Sequence, residues 1–130
     1  VLQRFGLRVL RCLLNEEATE RSVRLALDDV RSICTRYRER KQFVFFFAGH
    51  GLRDLKPDGA SHEGYLCLHD TDPTHLLATA LSMTYLRTLS EQIGAFQQLF
   101  VLDCCHAGEF LMGAQSGFLS VGASGGAAVG

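Results

Sequence analysis

Two apolar runs, each followed closely by a chemically reactive side chain, constrain the fold of this 130-residue chain more than any other feature. The run 99–102 leads to a thiol at Cys105, and the run 42–48 leads to His50, which lies between two glycines. Short apolar runs of this kind are typical of strands buried in a parallel sheet. If the two strands lie parallel, both reactive groups emerge at the same carboxyl edge, where open α/β sheets carry their sites.

Helix signals separate these strands. Thr19 has the residue type of an N-cap, and apolar residues at steps of three and four predict a helix from there to about Arg40. Ser82 in the same way predicts the cap of a helix that runs to about Ile93. Strands that alternate with helices predict an α/β fold whose parallel sheet is covered by helices.

The segments between these elements have weaker signals. Short apolar stretches predict strands at 7–13 and 65–68, and a polar composition predicts a long loop over 52–64. After Gly108 we expect a helix of about two turns, which would place Cys105 between the end of a strand and the start of a helix. The dipole at such a helix start favours a thiolate. Residues 116–130 are rich in Gly, Ala and Ser, and we expect a flexible tail there.

Composition limits the class of protein. A length of 130 residues allows one domain at most, and the hydrophobic fraction of 47% and the charged fraction of 21% are those of an ordinary globular chain. No apolar run approaches the length of a membrane span, and the first residues have no signal-peptide pattern, so we expect no membrane partner. The five cysteines have scattered spacing and predict no disulfide framework. They favour a reducing compartment, and we expect a cytoplasmic protein.

Charge is unevenly distributed along the chain. Residues 1–56 carry twelve basic and seven acidic residues, and residues 57–130 carry one basic and seven acidic residues, for balances of about +5 and −6. An acidic half that contains Asp103 favours basic ligands, but on charge alone both halves are better explained as solvated surfaces. The basic cluster at 36–41 complements the dipole at a helix end. Without interleaved aromatics or a known motif it predicts no nucleic-acid partner.

The residue types at the two strand ends match the requirements of thiol-dependent peptide hydrolysis. The reaction needs a thiolate to attack the carbonyl, an imidazole to move protons, and donors that hold the oxyanion. Cys105 and His50 supply the first two, and the backbone N–H groups of Gly51 and Cys105 supply the donors. Cys104 could instead be the nucleophile or form a vicinal disulfide with Cys105, but strand alternation favours a small buried side chain at Cys104.

Metal binding is the competing interpretation of the same residues. The Cys and His residues near the strand ends lack the paired spacing of a structural zinc site, so we expect no metal there. Four acidic residues in the loops could bind calcium, but they form no EF-hand pattern and are better explained as turn and cap residues: Asp54, Asp58, Asp70 and Asp72. Three further histidines are expected to face solvent: His62, His69 and His75.

Three motifs together resemble a known family. They are Phe-Ala-Gly-His-Gly at 47–51, Gly-Tyr-Leu-Cys-Leu-His-Asp-Thr-Asp at 64–72 and Asp-Cys-Cys-His-Ala-Gly at 103–108. The chain thereby resembles the caspase-like cysteine peptidases of clan CD, peptidase family C14. Within them it is most similar to the metacaspases and their bacterial relatives, because Asp103 stands where the caspase signature has glutamine.

The resemblance implies a three-layer α/β sandwich and a cysteine endopeptidase that uses Cys105 and His50. It also implies that Asp103 lines the S1 pocket and selects protein or peptide substrates with Arg or Lys at P1. No cofactor is required, although calcium activates some metacaspases. Residues 1–130 would be the central part of such a domain, without the family's first strand and helix and its last strands.

Two alternatives remain open at this stage. One is a catalytically silent caspase-like module that acts as a scaffold or regulatory partner. The other is an Asp-specific caspase, which the carboxylate of Asp103 opposes because it would repel an acidic P1 side chain. The sequence leaves the oligomeric state undecided.

Overall fold

The computed structural model describes residues 6–37, 41–55 and 58–105, together with the backbone of 119–122 and 126–129. The helices are α1 (Glu20–Arg36), α2 (Leu76–Thr79) and α3 (Met83–Gln92). The strands are β1 (Gln42–Ala48), β2 (His50–Leu55), β3 (His62–Cys67), β4 (Leu81–Ser82), β5 (Gln97–Asp103), β6 (Leu119–Gly122) and β7 (Gly126–Val129). A 3₁₀ turn at Asn15–Glu17 precedes α1.

The two long helices begin at the predicted caps. The Thr19 side chain accepts a hydrogen bond from the Ser22 backbone N–H, and the Ser82 side chain accepts one from the Tyr85 backbone N–H. Helix α1 ends at Arg36, four residues earlier than expected, and 38–40 lie outside the described residues. The buried side of each helix faces one shared core, to which α1 contributes Val23, Leu27, Val30 and Cys34 and α3 contributes Met83, Leu86 and Leu89.

The main sheet has the order β1-β5-β6-β7. Strands β1 and β5 are parallel neighbours along their whole length, from Gln42 opposite Gln97 to Ala48 opposite Asp103. Phe100 and Leu102 of β5 are fully buried in the shared core, and the rings of Phe100 and Phe43 meet edge to face at 5.8 Å. The predicted α/β fold with a parallel sheet is therefore confirmed.

A second, three-stranded sheet has the order β2-β3-β4 and is antiparallel. Strands β2 and β3 form a hairpin that occupies most of residues 52–64. The polar composition predicted a loop over these residues, and that prediction is wrong. The outer half of β2 is exposed and charged, so it carries no apolar alternation. What makes this segment a strand is its pairing with β3, which is buried over most of its length.

A buried carboxylate joins the second sheet to α3. Glu63 on β3 is 7% exposed and accepts hydrogen bonds from the Thr84 backbone N–H at 2.8 Å and from the Thr84 hydroxyl at 2.6 Å. These bonds satisfy an orphan donor in the first turn of α3 and keep the carboxylate from being buried without partners.

The expectations for the two ends of the chain have different outcomes. Residues 7–14 are irregular rather than a strand, because no described strand pairs with them; Leu10 and Leu13 instead pack against the shared core. The helix expected after Gly108 lies outside the described residues. The segment 116–130 contains β6 and β7, because backbone pairing with β5 and between the two strands does not require large side chains. Within the described ranges, no helix is both long and apolar enough to cross a membrane.

Candidate active site

The candidate site lies where the chain leaves the main sheet. Ala48 and Asp103 end their strands opposite each other, and the Gly49 backbone N–H donates a hydrogen bond to the Asp103 carbonyl at 3.2 Å. His50 follows Ala48 by two residues, and Cys105 follows Asp103 by two residues. The parallel register therefore brings the two residues singled out by the sequence to the same edge of the sheet.

Gly51 lies close to the segment that follows β5. A Cβ atom at this position would overlap the Cys105 carbonyl oxygen and would lie 3.1 Å from the Cys105 carbonyl carbon and 3.4 Å from the Cys104 Sγ. Only glycine therefore allows the start of β2 to lie directly against the backbone of Cys104 and Cys105. This contact joins the segment that carries the imidazole to the segment that carries the thiol.

The two neighbouring cysteines occupy different environments. Cys104 is 2% exposed, whereas Cys105 is exposed, and both thiols are free. Burial, with smaller contributions from Cys105 and Asp103, raises the pKa of Cys104 to about 11, so its thiol stays protonated at neutral pH. The prediction that Cys104 is a small buried side chain is confirmed, and of these two thiols Cys105 is the one open to solvent.

Asp103 and His50 are both open to solvent. Asp103 is the last residue of β5, and its side chain is exposed, on the opposite side of the strand from the buried Phe100 and Leu102. The imidazole of His50 is exposed as well. Both side chains are therefore available to a ligand at this edge.

The acidic loop residues act as turn and cap residues. Asp58 accepts hydrogen bonds from the backbone N–H groups of Ala60 and Ser61 at 3.0 Å. Asp70 accepts one from the Glu20 backbone N–H in the first turn of α1. These bonds confirm the turn-and-cap interpretation for both residues.

Asp72 is hydrogen-bonded to two other residues of the loop before α2. Hydrogen bonds from Thr74 and His75 lower the pKa of its carboxyl group to about 2. His75, like His62 and His69, is exposed, as predicted. Over 6–37, 41–55 and 58–105, no three His, Cys, Asp or Glu residues are grouped so that they could hold a metal ion.

The sequence did not predict which residue lies beside His50 in the second sheet. Cys67 lies directly opposite His50 in the antiparallel β2–β3 pair. The segment before it was interpreted as a loop, and without the hairpin nothing connects Cys67 with His50. The alternation of exposed and buried residues in β2 is too short to have indicated the pairing.

Comparison with protein families identifies the class. A family model of the caspase domain, a group of peptidases, matches residues 1–126. The chain therefore belongs to the caspase-domain family, and its parallel sheet with flanking helices is consistent with that fold. Membership indicates a cysteine-peptidase type of function with protein substrates. No curated protein and no solved structure matches the chain.

Proposed function

We propose that this protein is a cysteine endopeptidase whose nucleophile is Cys105 and whose general acid and base is His50. The observation that carries the proposal is the junction of the two sheets. There the in-register ends of β1 and β5 and the close contact of Gly51 with Cys105 gather an exposed thiol, an exposed imidazole and two backbone donors. These are the groups that acyl transfer to a thiol requires.

The reaction has two stages. In the first, the Cys105 thiolate forms a C–S bond to the substrate carbonyl carbon, and the C–N bond breaks as His50 transfers a proton to the leaving amine. The backbone N–H groups of Gly51 and Cys105 hold the oxyanion in the tetrahedral intermediate. In the second, His50 takes a proton from water, the hydroxide attacks the acyl carbon, and the C–S bond breaks to release the acid and the thiolate.

We further propose a preference for Arg or Lys at P1, as in the metacaspase-like branch. Asp103 supports it, because an exposed carboxylate two residues before the nucleophile attracts a guanidinium or ammonium group. The same carboxylate repels the acidic P1 side chain of an Asp-specific caspase substrate. No cofactor takes part, and calcium is proposed only as an activator.

The test is hydrolysis of fluorogenic peptides with Arg, Lys or Asp at P1 by the full-length protein, with and without calcium. Cys105→Ala should lower kcat/KM by about 10³-fold or more. The matched control is Cys104→Ala, which removes the neighbouring buried thiol and should remain active in its folded fraction. His50→Ala should behave like Cys105→Ala, whereas His62→Ala, at an exposed histidine of the same hairpin, should remain active.

Each part of the proposal has an outcome that contradicts it. Activity that survives Cys105→Ala but not Cys104→Ala would contradict the choice of nucleophile. Cleavage after Asp in preference to Arg and Lys would contradict the role of Asp103. A folded protein that cleaves none of the peptides under either calcium condition would contradict the peptidase function and favour the scaffold alternative.

A further inference from the structure

Two cysteines lie next to the first two residues of β2. Cys67 is directly opposite His50 in the antiparallel β2–β3 pair, so the Cβ atoms of these two residues are about 5 Å apart. Gly51, the next residue of β2, lies against the backbone of Cys105. The start of β2 therefore brings Cys67 and Cys105, which are distant in sequence, to the same end of the hairpin.

The side chains at this end of the hairpin are accessible. Cys67 is the last residue of β3 and His50 is the first residue of β2, so their pair ends the hairpin. Residues opposite each other project to the same side of a sheet, where Cys67 is half-buried and His50 is exposed. Cys105 is exposed as well, and the thiols of both cysteines are free.

The difference in exposure decides which of the two thiols meets a dissolved oxidant first. Cys105 is open to solvent, whereas burial raises the pKa of the half-buried Cys67 thiol and keeps it protonated at neutral pH. A protonated thiol attacks another sulfur only after a base removes its proton. The His50 imidazole, which is the nearest cross-strand neighbour of Cys67, is such a base.

Cys104 is the competing partner for an oxidised Cys105, because the two residues are adjacent in the chain. Consecutive Cα atoms are about 3.8 Å apart across a trans peptide bond, less than the roughly 4.4 Å at which the usual range for disulfides begins. Cys104 is also 2% exposed, and burial raises the pKa of its thiol to about 11. Strain and burial therefore both favour Cys67 over Cys104.

We propose that Cys67 and Cys105 form a reversible disulfide that inactivates the protein when hydrogen peroxide is present. Peroxide oxidises the Cys105 thiol to a sulfenic acid and releases one water. The Cys67 sulfur then attacks the Cys105 sulfur, the S–O bond breaks, and the hydroxyl group leaves as a second water with the proton that His50 has taken from Cys67. The two thiols lose two electrons in all, and peroxide gains them.

The disulfide has two consequences for the candidate site. It removes the Cys105 thiolate that would attack a substrate, so hydrolysis stops; this regulatory part rests on the proposed peptidase function. It also protects Cys105, because a sulfenic acid without a nearby thiol is oxidised further to a sulfinic acid, which thiol reductants do not reverse. Cys67 thus determines whether inactivation by peroxide is reversible.

The test treats the full-length protein with a small molar excess of hydrogen peroxide and maps disulfides by mass spectrometry without reduction. Wild type should yield a peptide pair joined through Cys67 and Cys105. Its hydrolysis of fluorogenic peptides, relative to the untreated protein, should fall and then return after dithiothreitol. Cys67→Ser should lose activity in the same way but recover less than about one tenth of it, with sulfinic acid at Cys105.

Two control variants remove the other thiols that could compete. Cys104→Ala removes the buried neighbour of Cys105, and Cys12→Ala removes an exposed thiol from the irregular segment before α1. Both should still form the disulfide and recover after dithiothreitol. If circular dichroism shows that Cys67→Ser does not fold, the disulfide map of wild type and of the two controls decides alone.

The outcomes distinguish this inference from the function on which its regulatory part rests. A disulfide between Cys104 and Cys105, or full recovery of Cys67→Ser, overturns the inference while hydrolysis that depends on Cys105 still supports the peptidase function. If the bond between Cys67 and Cys105 forms but the reduced protein cleaves no peptide, the bond is supported and both the peptidase function and its regulation are overturned.

Discussion

The two sheets of this protein meet at one point but are stabilised in different ways. In the main sheet, β5 has fully buried side chains at Phe100 and Leu102, and parallel pairing with β1 over seven residues keeps the strand ends level. In the second sheet, the outer half of β2 is exposed, and β3 is tied to α3 through hydrogen bonds of Glu63. The main sheet therefore supplies stability and level strand ends, whereas the second sheet supplies the surroundings of the imidazole.

This difference has a consequence for mutations. Changes in the core of the main sheet should lower the free energy of unfolding, whereas changes where the second sheet meets Cys105 should affect activity out of proportion to stability. Two substitutions, each compared with a matched change elsewhere, test this division, and a third concerns the pH dependence of stability.

The largest expected effect is on the core of β5. Phe100→Ala should lower the free energy of unfolding by about 3 to 5 kcal/mol, because it removes a fully buried ring from contact with Phe43 and Phe45. The control is Phe46→Ala on β1, whose side chain is 62% exposed and whose loss should cost about 1 kcal/mol or less. Urea unfolding followed by circular dichroism measures both. Equal losses in the two variants would show that burial does not determine the stability of this sheet.

The next effect is at the junction of the sheets. Gly51→Ala should lower the free energy of unfolding by roughly 1 to 3 kcal/mol, because the new methyl group overlaps the Cys105 carbonyl. It should also lower kcat by about 10²-fold or more, since the proposed backbone donors would move away from the oxyanion.

The matched control for this junction is Gly94→Ala. A Cβ at Gly94 would meet only the Cys34 carbonyl oxygen, at an ordinary contact distance of 3.8 Å. That variant should keep wild-type stability and activity. Full activity of the Gly51→Ala variant would contradict the expectation that the second sheet positions the site while the main sheet supplies stability.

The smallest expected effect concerns pH and Cys104, which lies beneath the junction. Because burial raises the pKa of this thiol from 9.0 in the unfolded chain to about 11, the folded state binds its proton more tightly. The resulting stability is fully present below pH 9 and is lost as the pH rises through 11. Between pH 9 and pH 10 the loss should be about 1 kcal/mol.

Comparison of wild type with Cys104→Ala isolates this contribution, because burial also raises the pKa values of Cys34 and Cys67 in both proteins. Urea midpoints at pH 7, 9 and 10 should show that wild type loses more stability than Cys104→Ala as the pH rises. Parallel losses in the two proteins would indicate that Cys104 ionises as readily when folded as when unfolded.

Much of the main sheet, together with the two long helices, could be predicted from the sequence because the signals for these elements are local. The caps at Thr19 and Ser82 and the apolar runs of β1 and β5 each depend on a few neighbouring residues. The hairpin could not be predicted in this way, because the charged half of β2 is extended only through its pairing with β3. The strand expected at 7–13 failed for the converse reason, since its apolar residues pack on the core without a described partner strand.

The sequence by itself determined the candidate groups of the site: a thiol and an imidazole, each following a buried strand, and a glycine beside the imidazole. Their residue types, and the number of residues that separates each from the end of its strand, can be read directly from short stretches of the sequence. Only the tertiary structure decided which groups are neighbours, because contacts such as those of Gly51 with Cys105 and of His50 with Cys67 join distant parts of the chain. It also separated Cys104 from Cys105, since burial depends on what packs around a side chain and not on the residue itself.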